Sequence, residues 1–356
     1  MSDYRRKKQK KGHAGLLIIL LVIIALAGGC VVHLQMMTGP VNRSDRKTVV
    51  VEVPSGSTTD SIGRTLAGKG LIRSAKTFRL YSKLKHLGAS FQAGTYSLSP
   101  SMSMNEIAGI IAEGKVTTER FTIPEGYNEY EVAKKLAKEG LVNRKKFVQV
   151  VQTKDFSGEF PFLKNAQKGK NRLEGYLFPD TYTVPLNAGE EEIVRTMLKG
   201  YQRTFTDADR ARAKGMGYSE QEILTIASII ERESGNEKDK PKIASVIYNR
   251  LKKNMPLQMD STVQYVLKLR GKNPDKILYD DLKVDSKFNT YKNAGLPPSP
   301  ICSPGAQSIR AALHPAKTKY LYFVVSDKLD GSSVFSEDYA TFLKNSSKYH
   351  SAVSKK

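Results

Sequence analysis

Residues 220–235 read EQEILTIASIIERESG, and a polar break at residues 236–242 separates them from the apolar segment IASVIYN at residues 243–249. The first segment has the periodicity of a helix, because apolar residues recur at intervals of three and four. Four isoleucines share one broad face of that helix: Ile223, Ile226, Ile229 and Ile230. We therefore predict a helix that turns this face toward apolar surroundings.

Two glutamates close this helix, and their positions differ. Glu233 follows Ile230 by three residues and Ile229 by four, so it lies beside the apolar face, whereas Glu231 points away from it. A carboxyl group in apolar surroundings resists ionisation and can act as a general acid near neutral pH. The alternative is a partly buried Glu233 in a salt bridge, and periodicity alone leaves both interpretations open.

The chain of 356 residues is strongly basic, with a formal net charge of +22. Part of this charge is a run of six Lys and Arg residues between positions 5 and 11. A surplus of this size suits a polyanionic partner such as nucleic acid, anionic lipid or an anionic wall polymer, or it is a solvated surface with no dedicated partner. The sequence contains no helix-turn-helix, zinc-finger or RNP-type motif, which argues against nucleic acid.

The two cysteines, Cys30 and Cys302, are far apart in the sequence. We predict no disulfide between them, because Cys30 lies in an apolar N-terminal segment and Cys302 lies near the C-terminus. No Cys or His spacing resembles a metal site. The sequence therefore predicts neither a bound metal nor a cofactor.

Residues 14–34 are almost wholly apolar, and about 20 such residues are enough to span a bilayer as a helix. The positive-inside rule places the basic tail at residues 1–13 in the cytoplasm and the chain after His33 outside. We predict a single-pass protein of the cytoplasmic membrane, with residues 35–47 as a linker. A cleaved signal peptide is the alternative, with a possible cleavage site at residues 27–29.

The rest of the chain has the pattern of an α+β protein with a small and a larger domain. Residues 48–117 predict strand, helix, helix, strand and helix in that order. The segment VPSGST at residues 53–58, followed by a helix, resembles the start of a LysM-like glycan-binding module. The alternative is a spacer. We place a catalytic domain at residues 118–349, including a buried strand at residues 320–325, and a polar tail at residues 350–356.

Several motifs follow in order along this larger domain: LEGYLFPDTY at 173–182, ASIIERE at 227–233, IASVIYNRL at 243–251, LQMDSTVQY at 257–265, YKNAGLPPSPI at 291–301 and ALHPA at 312–316. Together they closely resemble the YceG-like endolytic murein transglycosylases. The resemblance implies a membrane-anchored enzyme that cleaves nascent peptidoglycan glycan strands internally, working beside cell-wall synthases. It also implies that Glu233 is the catalytic residue. One feature departs from the family, since Ser333 and Val334 stand where many members carry a histidine before the aromatic Phe335.

The implied reaction needs a single carboxyl group that acts first as acid and then as base, and it leaves 1,6-anhydroMurNAc ends. Asp260 is the candidate for a second carboxylate, which would permit a muramidase-type hydrolysis. Our preferred interpretation of Asp260 is a turn or helix cap. A third possibility is a non-catalytic scaffold that binds peptidoglycan.

Other polar and aromatic side chains near these motifs are candidates for contacts to sugar. They are Gln258, Asp260, Thr262, Tyr265, Asn249, Asn289, Tyr291 and Tyr176. Arg250 is considered together with Asn249, as a residue that orients Glu233 or contacts substrate.

Overall fold

The computed structural model describes residues 6–166, 169–272 and 277–354. It contains helices and small two-stranded sheets, as expected of an α+β protein. The chain forms two compact units. The first comprises residues up to Glu119 together with Pro185–Asn187, and the second comprises Arg120–Val184 and the chain from Ala188 onward.

The first helix, α1, spans Arg6–Thr38. Its stretch Leu17–Thr38 has 22 residues, and it is long and apolar enough to cross a membrane. At 1.5 Å per residue it measures about 33 Å, close to the hydrocarbon thickness of a bilayer. The helix thus extends beyond the predicted end at residue 34, into what was predicted as linker.

The guanidinium of Arg73 holds the last turn of α1 and the chain just after it. Its Nη1 donates to the carbonyl oxygens of Met36 at 3.0 Å and Gly39 at 2.8 Å, and its Nη2 donates to that of Val41 at 3.2 Å. These carbonyls lie at and just beyond the end of a helix, where acceptors lack helical partners. The predicted linker is therefore fastened to Arg73.

The remainder of the first unit has the predicted order of elements. Its helices and strands are β1 (Val49–Val53), α2 (Thr59–Gly68), α3 (Ala75–Leu84), β2 (Gly94–Leu98) and α4 (Met104–Ala112). Strands β1 and β2 are antiparallel, with Val51 opposite Tyr96. Side chains from both strands and all three helices form one core, which includes Leu66, Phe78 and Ile107.

The chain continues through β3 (Thr118–Thr122), α5 (Glu129–Lys138), α6 (Arg144–Thr153), β4 (Thr181–Pro185), α7 (Gly189–Thr204), α8 (Asp207–Gly215), α9 (Glu220–Glu233), α10 (Lys240–Lys252), α11 (Asp260–Leu269), α12 (Ala306–Leu313), β5 (Tyr322–Val325), β6 (Ser333–Ser336) and α13 (Tyr339–Val353). Short 3-10 helices lie at Pro161–Asn165 and Asp281–Lys283. Strand β3 pairs with β4, and β5 pairs antiparallel with β6.

Helix α9 is the central element of the second unit, and it packs against α8, α10, α11 and α12. A capping box starts it, because Ser219 N donates to Glu222 Oε2 and Glu222 N donates to Ser219 Oγ. Every residue from Ile223 to Ile230 is buried. The prediction of one apolar face was therefore too narrow, since this helix is enclosed on all sides.

Two predictions for the C-terminal part differ from the structure. The strand predicted as buried, β5, is half-buried, and Val325 at its end is exposed. Helix α13 continues to Val353, past the domain boundary that we predicted at residue 349. Helix α13 packs on β5 and β6 without enclosing them, so aromatic side chains of this region stay accessible.

Candidate active site

A cleft of about 530 Å³ opens at the C-terminal end of α9. Its walls come from the N-terminus of α11, the loop after α10, Tyr291, β5 and α13. Of the residues considered for binding or cleaving substrate, five line this cleft: Glu233, Arg250, Gln258, Asp260 and Tyr291. The volume lies within the range of sites for small ligands and sugar units.

Glu233 is the last residue of α9, and it is half-buried in this cleft. Ser261 N, in the first turn of α11, lies 3.4 Å from Glu233 Oε1 as a long hydrogen-bond donor. Burial raises the pKa of Glu233 above its usual value. Hydrogen bonds from Ser261 lower this pKa, the charge of Asp260 raises it further, and the net shift is upward. The direction is the one that the helix pattern predicted.

Glu231, two residues earlier, has an entirely different environment. Its Oε2 accepts from Gly305 N at 3.0 Å and Ser308 Oγ at 2.6 Å, and Lys240 Nζ lies 3.4 Å away. Only 9% of the Glu231 side chain is exposed. Glu231 thus points away from the Glu233 face, but into the protein and not toward solvent. The salt-bridge interpretation considered for Glu233 therefore describes Glu231, which caps the start of α12. Within the described residues, no Lys or Arg nitrogen lies within 4.0 Å of the Glu233 carboxylate.

Asp260 and Gln258 occupy the rim of the cleft beside Glu233. Asp260 Oδ1 accepts from Tyr291 Oη at 2.5 Å, so its carboxylate is held by a neighbour and does not cap α11. Gln258 has a left-handed backbone, with φ of 51°, and its N donates to Thr290 O at 3.1 Å. A non-glycine residue in this conformation indicates a constrained loop of the kind found at functional sites.

Arg250 joins two walls of the cleft. Its Nε donates to Leu321 O at 2.7 Å, and its Nη1 donates to the carbonyls of Pro256 and Leu257 at 3.0 and 2.9 Å. Its guanidinium carbon lies 5.0 Å from the centre of the Tyr322 ring, a cation–π contact. Arg250 thus fixes the loop after α10 relative to β5.

Thr262 and Asn289 do not line the cleft, although the sequence suggested sugar contacts for both. Both are fully buried. Thr262 Oγ1 donates to Met259 O at 2.7 Å and lies 3.0 Å from Thr290 Oγ1. Asn289 Nδ2 donates to Leu282 O and Val284 O, both at 2.8 Å. Their polar groups fold the loops behind the cleft, which leaves them with a structural role.

Asn249 also differs from expectation. Its Nδ2 donates to Thr318 O and Tyr320 O, both at 2.9 Å, and so holds the segment before β5. Tyr176 is buried in an aromatic cluster with Phe162 and Tyr201. Neither side chain lines the cleft, so the expected sugar contacts do not fit their positions.

Tyr265 lies on α11, away from the cleft and almost fully buried. Its Oη donates to Glu174 Oε2 at 3.0 Å and accepts from Asn171 Nδ2 at 3.1 Å. The hydroxyl thus serves an internal network and not a sugar. Sequence reasoning missed the aromatic side chains at the other end of the cleft, which belong to β5 and α13: Tyr322, Tyr339 and Phe342.

Comparison with known proteins gives a consistent picture. A profile of the YceG-like family matches residues 51–348. An endolytic murein transglycosylase of Bacillus subtilis is 38% identical over 347 residues, which cover 93% of each chain. An enzyme of the same name from Streptococcus pneumoniae is 31% identical over 322 residues, covering 84% of this chain and 58% of that one.

A crystal structure of a yceG-like protein from Listeria monocytogenes is also similar. It is 35% identical to this chain, with a TM-score of 0.57, and the match covers 84% of this chain and 99% of the other. The family profile spans most of the first unit and nearly all of the second. The chain belongs to the YceG-like family.

Proposed function

We propose that this chain is an endolytic murein transglycosylase in which Glu233 cleaves the bond between MurNAc and GlcNAc. Its family and its similarity to enzymes of that name support the activity. The observation that carries the residue assignment is the Glu233 carboxyl itself. It has a raised pKa, no basic partner among the described residues, and an open cleft beside it.

The reaction proceeds in two proton transfers. The protonated carboxyl of Glu233 donates its proton to the glycosidic oxygen as the bond from that oxygen to MurNAc C1 breaks. This releases the part of the strand that begins with GlcNAc. The resulting carboxylate then takes the proton of the MurNAc C6 hydroxyl while its oxygen bonds to C1. This closes a 1,6-anhydro ring and restores the acid. Water is not consumed, so the two products together have the mass of the substrate.

Asp260 is the residue on which the alternative, a hydrolase, depends. A hydrolase uses a second carboxylate as nucleophile or to activate water. In the structure the Asp260 carboxylate accepts a hydrogen bond from Tyr291 instead. That contact favours a supporting role, in which Asp260 adds negative charge close to Glu233 and keeps its proton in place.

We further infer that α1 anchors the enzyme in the cytoplasmic membrane, with the basic N-terminal residues in the cytoplasm and the chain after α1 outside. The length and apolar surface of Leu17–Thr38 support this. The substrate would then be glycan strands near the membrane surface, where wall synthases also work. Residues 48–117 are proposed as a LysM-like module that binds the same strands.

Digestion of purified glycan strands by the full chain, followed by mass spectrometry, tests the proposal. We expect internal cuts that leave 1,6-anhydroMurNAc ends. Reducing MurNAc ends, heavier by one water, would indicate a hydrolase. Intact strands would indicate a scaffold that binds without cleaving.

A further inference from the structure

Three aromatic rings stand at one side of the cleft and pack on each other. The centre of the Tyr322 ring is 5.7 Å from that of Tyr339 and 5.5 Å from that of Phe342, and the Tyr339 and Phe342 centres are 5.8 Å apart. All three side chains line the same cleft as Glu233. We call this group the aromatic wall.

One ring of the aromatic wall is unusually open for a large side chain, whereas Tyr322 and Phe342 are half-buried. Tyr339 is 57% exposed, although rings of this size favour burial. Scattered exposed aromatics are ordinary on protein surfaces, and Tyr279 is another example here. Tyr339 differs because it belongs to a packed group beside a cleft, and contiguous exposed apolar patches of this kind mark binding surfaces.

The positions of these rings are fixed before any ligand binds. Asp338 caps α13, since its Oδ1 accepts from Thr341 N and its Oδ2 accepts from Thr341 Oγ1, both at 2.8 Å. This sets the start of the helix at Tyr339 and places Phe342 on the same face, three residues on. Tyr322 is held by the cation–π contact with Arg250. A preformed surface loses less entropy on binding than a mobile one.

The cleft is therefore amphipathic, with carboxyl, amide and phenol groups of Glu233, Gln258, Asp260 and Tyr291 along one part and the aromatic wall along another. A pyranose has the matching character, because its ring faces present C–H groups and its edge presents hydroxyls. Aromatic rings stack on those C–H faces. The cleft thus fits a sugar that stacks on one side and forms hydrogen bonds on the other.

We propose that Tyr339, supported by Tyr322 and Phe342, is the stacking ring of a sugar subsite that binds the glycan strand. This rests on the proposed function for the identity of the polymer. The aromatic wall binds substrate and takes no part in proton transfer. Its loss should therefore weaken binding and leave the chemical step unchanged.

The test measures binding of peptide-free glycan strands to the full chain in detergent, by calorimetry, in a Glu233→Gln background that blocks cleavage. We expect Tyr339→Ala to raise Kd by about 10-fold and Tyr339→Phe, which keeps the ring, to stay within about twofold. Tyr349→Ala is the matched control, because Tyr349 lies on the same helix and does not line the cleft. It should bind as the unaltered background does.

The same substitutions in the active enzyme separate binding from chemistry. Tyr339→Ala should raise KM by about 10-fold with kcat within about twofold. Unchanged Kd in Tyr339→Ala, or an equal loss in Tyr349→Ala, would overturn the subsite. So would a loss confined to strands that carry peptide stems, since the ring would then contact peptide. Because binding is measured without cleavage, these results do not depend on whether anhydro ends are formed.

Discussion

Carboxyl groups from other elements contact helix α11 at two places, and only one of these places opens to a cleft. At its N-terminus, Ser261 N faces Glu233 across 3.4 Å. Further along, Tyr265 donates to Glu174, whose other oxygen accepts from Glu129 N at 3.2 Å. Glu174 is only 1% exposed, and the cavity beside Glu129 holds about 10 Å³, room for no more than one water.

Burial raises the pKa of the carboxyl group in both places, and the charge of Glu174 raises the pKa of Glu129 further. A perturbed pKa thus fails to separate the two regions. Accessibility does, because Glu233 lines an open cleft whereas Glu174 is buried. We conclude that Glu129 and Glu174, which we call the inner pair, are structural. The raised pKa of Glu233 can serve catalysis because its carboxyl group lines the cleft.

Replacing the accessible carboxyl should have the largest effect. We expect Glu233→Gln to reduce strand cleavage by about 1,000-fold or more, because the amide cannot donate and recover the proton. Release of anhydro ends measures the rate. Glu174→Gln is the comparison variant, and its folded fraction should cleave within about threefold of the wild-type rate. An equal loss in both variants would remove the distinction between the two regions.

The inner pair should instead control how stability depends on pH. A carboxyl with a raised pKa in the folded state binds its proton more tightly there than in the unfolded chain. Its contribution to stability is present below the unfolded pKa, near 4.3, and is lost as pH rises through the folded pKa, at up to about 1.4 kcal/mol per pH unit. We expect Glu129→Gln to flatten this decline, as measured by urea unfolding between pH 5 and 8.

The matched control for that measurement is Glu139→Gln, at the end of the same helix, where the carboxylate forms a surface salt bridge with Lys135. This variant should keep the wild-type decline. A Glu129→Gln protein that loses stability with pH as steeply as the wild type would show that Glu129 is charged in the fold.

The smallest effect should come from replacing Asp260, the neighbour of Glu233. The charge of Asp260 raises the pKa of Glu233, so Asp260→Asn should lower that pKa. The protonated form of Glu233 is then lost at a lower pH. The alkaline limb of the pH–rate profile should therefore move to lower pH by a few tenths of a unit to about one unit. Tyr291→Phe removes the hydrogen bond and keeps the charge, so it should leave this limb in place. A shift upward in Asp260→Asn would contradict the assignment.

Much of this arrangement was predictable from sequence, for identifiable reasons. Helical periodicity indicated α9, and spacing set Glu233 apart from Glu231, because a regular helix converts sequence intervals into directions. The same intervals did not show that Glu231 is buried, since Gly305 and Ser308, its hydrogen-bond partners, lie more than 70 residues away.

Residue type alone served less well for the sugar contacts. Thr262 and Asn289 have the right chemistry, but their donors are used by backbone carbonyls in the folded loops. A sequence does not show which polar groups are already satisfied. The aromatic wall was missed for the opposite reason. Tyr322 was assigned to a buried strand, and its partners on α13 are brought to it only by the tertiary fold.

The three hydrogen bonds that Arg73 donates at the end of α1 have a mechanical consequence. A free linker of a dozen residues would let the first unit swing and tumble above the membrane. Three hydrogen bonds hold this junction, so in the membrane-anchored chain proposed above residues 48–117 would follow the tilt of α1.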